Sequence, residues 1–177
     1  MTAEASMLGF LRGLALDFLP VLSVALLVLV TTIPTSLPPM TTIGGIWPLI
    51  GIAYWTLSRP GSMPVTVVFL LGLLTDIVTF VPFGLHGFVF VLARMTLIRQ
   101  RRFLMGQGFW VLWVAYALLA AGVYTLLFLL TSLFQPGAVS YAAGLVGVSI
   151  AWACVPLVIW FLSRLHDMIN LFDEPIA

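Results

Sequence analysis

With 177 residues, 62% of them hydrophobic and only 7% charged, and a mean hydropathy of +1.20, the chain has too little polar surface to cover a water-soluble globule of its size. A soluble enzyme fold is excluded, and no long basic run points to nucleic acid. The net charge of +1 carries less information than the placement of the few charges along the chain.

The expected fold class is all-α: one polytopic membrane domain over 1–177. An apolar slab of about 30 Å takes roughly 20 helical residues to cross. Apolar runs between proline and glycine breaks predict six transmembrane helices at about 18–37, 42–58, 64–80, 83–98, 109–133 and 140–163. Ahead of them, residues 2–17 mix Leu8, Phe10, Leu11 and Leu14 with Glu4, Arg12 and Asp17, a weak interfacial pattern. The first run is followed by Thr31 to Ser36 rather than an alanine-type cleavage site, so it reads as an uncleaved span. The stretch from Ile33 to Pro39 closes it, Arg59-Pro60-Gly61 closes the second, and Val81-Pro82-Phe83-Gly84 makes a tight turn between the third and fourth. The fifth and sixth meet at Gln135-Pro136-Gly137, and Pro156 is expected to bend the sixth.

All seven basic residues then fall on one side. Arg12 precedes the first span, Arg59 lies in the second loop, and Arg99, Arg101 and Arg102 occupy the fourth, with Arg94 a turn away and Arg164 in the C-terminal tail. Basic residues near span ends resist translocation, which predicts cytoplasmic termini and cytoplasmic second and fourth loops. Trp55, Trp110, Trp113 and Trp160 are expected at the same interface. The Arg99-Gln100-Arg101-Arg102 cluster reads as a topology anchor in contact with anionic membrane lipids, or as a docking point for a cytoplasmic partner.

Asp76 stands out because it lies inside a span, where a charge is costly unless it faces protein or water. Gly72 lies one turn before it and Thr79 nearly one turn after, so this face can admit a close helix. His86 lies as far beyond Pro82 as Asp76 lies before it, roughly, and an antiparallel pair would bring the two to similar depth. A packing lock and a proton relay or ligand contact are both open readings of that pair. A metal site lacks ligands, since His166 falls at the opposite face. Cys154, the one cysteine, sits in an apolar helix and suits core packing rather than a disulfide or metal site.

Small residues recur at four-residue intervals at Ala117, Ala121 and Thr125 and at Ala143, Gly147 and Ala151. Such ridges fit a contact between the fifth and sixth helices, or a partner's membrane helix. Asp167, Asp173 and Glu174 make a short acidic tail that reads as solvated. There is no phosphate loop, zinc pattern or serine elbow, hence no catalytic residue and no cofactor to assign.

The stretch Pro48-Leu49-Ile50-Gly51-Ile52-Ala53-Tyr54-Trp55, followed by Arg59-Pro60, Phe69-x-x-Gly72-Leu73-Leu74-x-Asp76 and Pro82-x-Gly84, resembles the bacterial rod shape-determining protein MreD family. The similarity is carried by about residues 47–90. It implies a non-enzymatic inner-membrane component of the cell-elongation machinery, acting in lateral peptidoglycan synthesis. The partners it implies are MreC directly, with MreB, RodZ, RodA and a penicillin-binding transpeptidase in the same assembly. It also implies a fold similar to the substrate-binding subunits of energy-coupling-factor transporters, which leaves solute or vitamin capture as the other reading. Gly72, Asp76, Pro82 and Gly84 are the family-type positions. A reporter fused after Ala177 is expected to be active on the cytoplasmic side, and a periplasmic signal would contradict the six-span reading.

Overall fold

The computed structural model describes residues 18–30, 46–134 and 141–173. Among the described residues the chain is all-helical: α1 (Phe18–Val30), α2 (Ile46–Ser58), a single 3-10 turn (Pro60–Ser62), α3 (Val65–Thr79), α4 (Leu85–Leu104), α5 (Phe109–Phe134) and α6 (Tyr141–Asp173). The expected interfacial segment at 2–17, the proline-rich end of the first span and the Gln135-Pro136-Gly137 turn lie outside the described residues.

Helix α2 is apolar on every side and is accordingly buried, from Ile46 and Leu49 through Ile52 to Trp55. It packs against α4, α5 and α6, while α3 pairs most closely with α4. Trp55 is fully buried, and its indole N–H donates to Ser23 Oγ on α1 at 2.8 Å; that hydroxyl in turn donates to the carbonyl of Pro20 at 2.7 Å. The expectation that Trp55 is an interfacial ring is therefore corrected, because its polar edge finds a partner inside the bundle. Trp110 and Trp160 are exposed.

Helix α4 runs six residues past the end of its expected span, so Arg99, Arg101 and Arg102 belong to a helix and not to a loop. Their residue types favour helix, and cations in a last turn complement its dipole. Arg101 Nε donates to the carbonyl of Leu57 at 2.8 Å, close to the C-terminus of α2, and Arg94 Nε donates to the carbonyl of Met63 beyond it. Two of the arginines thus satisfy carbonyls that no helix ladder reaches. Arg164 likewise lies within α6, set against the ring of Trp160, because no proline or glycine stops that helix after the apolar run ends. Pro156 is contained inside the same helix.

Helices α5 and α6 are joined by Trp113 and Trp152, whose rings stack at 4.3 Å and 11°. Each indole N–H donates to the other residue's carbonyl, at 3.2 and 3.4 Å. Of the small-residue ridge on α5, Ala117 is half-buried, and Ala121 and Thr125 are exposed. The side chains of Ala143, Gly147 and Ala151 lie outside the described residues. Cys154 is half-buried.

Large apolar side chains also cover the outside of the bundle, including Leu22, Leu70, Phe88, Leu118 and Leu157. An apolar exterior distributed over every helix but the buried α2 exceeds what a soluble monomer exposes. By length and composition, Trp110–Leu133 is a stretch able to cross a membrane on its own, and Phe18–Val30, Ile46–Ser58 and Val65–Thr79 are shorter apolar helices. Replacing Ser23 by alanine leaves the Trp55 N–H buried without an acceptor, which costs about 1–3 kcal/mol. A lower melting temperature in detergent, with Trp55→Phe suppressing the effect of Ser23→Ala, is the expected outcome.

Candidate functional site

The site lies at the turn between α3 and α4 and is built from the backbone outward. Helix α3 ends at Phe80, which takes the left-handed conformation (φ 54°) and returns its N–H to the carbonyl of Asp76. The N–H of Val81 reaches the same carbonyl at 3.3 Å. After Pro82 and Phe83 the chain enters α4 through Gly84 at φ 92°, where a side chain would be strained. Glycine thus solves the backbone problem but creates another. It occupies the N-cap position of α4 and has no side-chain oxygen with which to satisfy the first N–H groups.

Asp76 supplies the missing acceptor from across the turn. Its Oδ2 accepts from Gly84 N–H at 2.8 Å, and its Oδ1 accepts from His86 N–H at 2.9 Å. The His86 ring closes the arrangement, with Nδ1 at 2.7 Å from the same Oδ1. In the tautomer with its proton on Nδ1, this nitrogen donates to the carboxylate. A carboxylate at a helix N-terminus also meets the positive end of the helix dipole. Asp76 and His86 are both buried, and the His86 ring packs edge-on to Phe90 at a centroid distance of 5.6 Å. The side chain of Asp76 therefore serves as a helix cap delivered from the neighbouring helix. Thr75 and Thr79 on the same helix return their hydroxyls to carbonyls four residues back, at 2.8 Å each.

Close approach of the two helices makes this reach possible. A β-carbon built on Gly72 would collide with Gly87 Cα and N and would lie 2.8 Å from the carbonyl carbon of His86. At Gly87 the nearest atoms are instead the ring edge of Phe69, at 3.0 Å, with the Phe69 carbonyl oxygen at 3.3 Å. Gly72 was legible as a close-approach position, whereas its partner Gly87 and the two backbone donors carried no distinguishing pattern.

Other residues of interest lie apart from this site. His166 packs on Tyr54 and Trp55, near the end of α2, with ring-centroid distances of 6.4 and 5.7 Å. Burial lowers its pKa from the ordinary histidine value, Arg59 lowers it further and Asp167 opposes them. Helix α3 spans about 22 Å at 1.5 Å per residue, which separates the Asp76 end from the end where α2 stops. His166 accordingly does not join Asp76 and His86, and no group of three metal-ligating side chains occurs among the described residues. Arg99, Arg101 and Arg102 lie at the far end of α4, and Pro82 and Gly84 lie in the capped turn itself.

Fold and site together define an all-helical, apolar membrane bundle in which the one buried carboxylate among the described residues is committed to joining two helices. The family model for rod shape-determining protein MreD matches residues 9–166, and the chain belongs to that family. No curated protein and no solved structure matches the chain.

Replacing Asp76 by leucine strands two backbone donors and the His86 ring, a loss of roughly 2–5 kcal/mol, whereas asparagine keeps one acceptor oxygen and loses less. Gly72→Ala forces backbone against backbone and is expected to cost at least about 1–3 kcal/mol, while Gly87→Ala costs less because the Phe69 ring can turn. Thermal melting of purified protein, ranked Asp76→Leu and Gly72→Ala well below Asp76→Asn and Gly87→Ala, checks both statements.

Proposed function

We propose that this chain is a non-enzymatic, multi-pass scaffold of the bacterial inner membrane that crosses it six times with both termini in the cytoplasm. In this reading it binds MreC directly and works in an assembly with MreB, RodZ, RodA and a penicillin-binding transpeptidase, serving cell shape through lateral peptidoglycan synthesis. Family membership supports the role in rod shape, and the one-sided arginines support the orientation.

The observation that carries the reading is Phe80. It is 90% exposed and held in the left-handed region, where a bulky L-residue costs about 1–2 kcal/mol relative to glycine. Glycine is the usual residue at such a helix end. Phe83, on the same turn, is 77% exposed. The turn is thus rigidly capped from within by Asp76 while it presents two aromatic rings outward at some expense in stability. Retained backbone strain clusters at functional sites, and here it sits beside an exposed ring. On the proposed orientation this turn faces the periplasm, where the membrane-proximal part of MreC would meet it.

Capture of a polar solute would need convergent polar groups in a pocket, whereas the described clefts are walled mainly by apolar side chains, with Thr96 and Gln100 in one and Tyr54, Ser58 and Tyr116 in the other. The side-chain oxygens of Asp76 are also already engaged by N–H groups of α4. Both points favour the scaffold over a transporter-type subunit.

Replacing Phe80 by glycine removes the ring and the backbone strain together. The melting temperature is expected to hold or rise while co-purification of MreC falls severalfold, more so with Phe83→Ser added. Undiminished MreC recovery from the double variant would contradict the proposal.

A further inference from the structure

We propose that the cleft between α4 and α5 is a binding site for one anionic phospholipid, with its acyl chain between the helices and its headgroup phosphate at Arg99. The cleft holds about 400 Å³ and is walled by aliphatic residues such as Leu97, Leu119 and Leu126, with Thr96 and Gln100 among its few polar members. It continues toward Trp110 past Gln100 and Leu104. Leu92 and Thr96 line it on α4, and Phe103 lines its continuation. Arg99 is not itself one of the lining residues but borders them, three residues after Thr96 and four before Phe103 at helical spacing. It is exposed and has no hydrogen-bond or ion-pair partner among the described residues.

The neighbouring arginines point elsewhere. Arg101 is committed to the carbonyl of Leu57, and Arg102 lies off that spacing. Positive charge therefore marks one end of an otherwise apolar channel, which complements a molecule anionic at one end and hydrocarbon along its length. From Arg99 back to Val89 the cleft follows α4 for about 15 Å, which matches the roughly 15 Å of one leaflet's hydrocarbon. A chain entering at the headgroup level has room to lie within it. A packed membrane helix would want small residues at four-residue intervals. That pattern is carried instead by Ala117, Ala121 and Thr125, which do not line this cleft.

The proposal rests on the orientation proposed above only for which leaflet supplies the lipid. The experiment uses the full-length purified chain in detergent, so it reads binding whichever way the chain sits in a membrane. Phosphatidylglycerol and phosphatidylcholine are titrated separately and bound lipid is counted by native mass spectrometry. Phosphatidylglycerol is expected to bind saturably at one site, with affinity lowered about fivefold by Arg99→Gln, the contribution of one basic residue at an anionic surface, and little changed by Arg102→Gln. Gly122 lines the cleft, and a β-carbon there meets nothing within 4 Å. Gly122→Leu should therefore fold normally and exclude the chain, abolishing saturable binding; Thr96→Phe, from an exposed position on the opposite wall, serves the same purpose if Gly122→Leu does not purify. Equal losses in Arg99→Gln and Arg102→Gln would overturn the site in favour of diffuse charge. Unchanged lipid binding in the filled-cleft variant, with an altered oligomeric state, would overturn it in favour of a protein helix.

Discussion

A helix whose N-cap is glycine must find its first hydrogen-bond acceptors elsewhere, and in this chain they come from Asp76 on the preceding helix. Without that carboxylate the N–H groups of Gly84 and His86 would be left unpaired in an apolar setting. The rest of the α3–α4 unit follows from meeting the requirement. The helices approach to the limit set by Gly72 against Gly87, His86 adds its ring to the same oxygen, and the turn between them is held in one conformation. The carboxylate is affordable in an apolar bundle because its partners surround it.

Much of this was legible in the chain itself. The near-symmetrical placement of Asp76 and His86 about Pro82 was enough to pair them, since an antiparallel hairpin equates distances from its turn. The close-approach role of Gly72 was legible for a similar reason, as it lies one turn from the buried acid. Gly87 was not, because a glycine announces space without saying which backbone will fill it. Nor were the two amide donors, since every helix begins with unpaired N–H groups and only tertiary packing selects the carboxylate that meets them. The arginines were misplaced in a loop because hydropathy marks where an apolar run ends and not where the hydrogen-bond ladder of α4 ends. Trp55 was misread for the complementary reason: an amphipathic ring satisfies its N–H equally well at an interface or at Ser23 inside the bundle.

The two ends of the bundle are built differently. At one, a carboxylate and an imidazole fix a tight turn that carries exposed Phe80 and Phe83. At the other, guanidinium groups satisfy carbonyls near the end of α2 and after it, while Arg99 is exposed. The proposed role, joining partners across a bilayer, calls for a stiff body with distinct surfaces at each side. Here stiffness comes from the α3–α4 cap, the Trp113–Trp152 clamp and the burial of α2.

Amide hydrogen exchange at Gly84 and His86 tests the central claim most directly. In the native protein these two amides are expected to exchange as slowly as those in the middle of α3, and in Asp76→Ala to exchange far faster while the middle of α3 stays protected. Rapid exchange at both amides in the native protein would show that the carboxylate does not cap α4, and the account would fail with it.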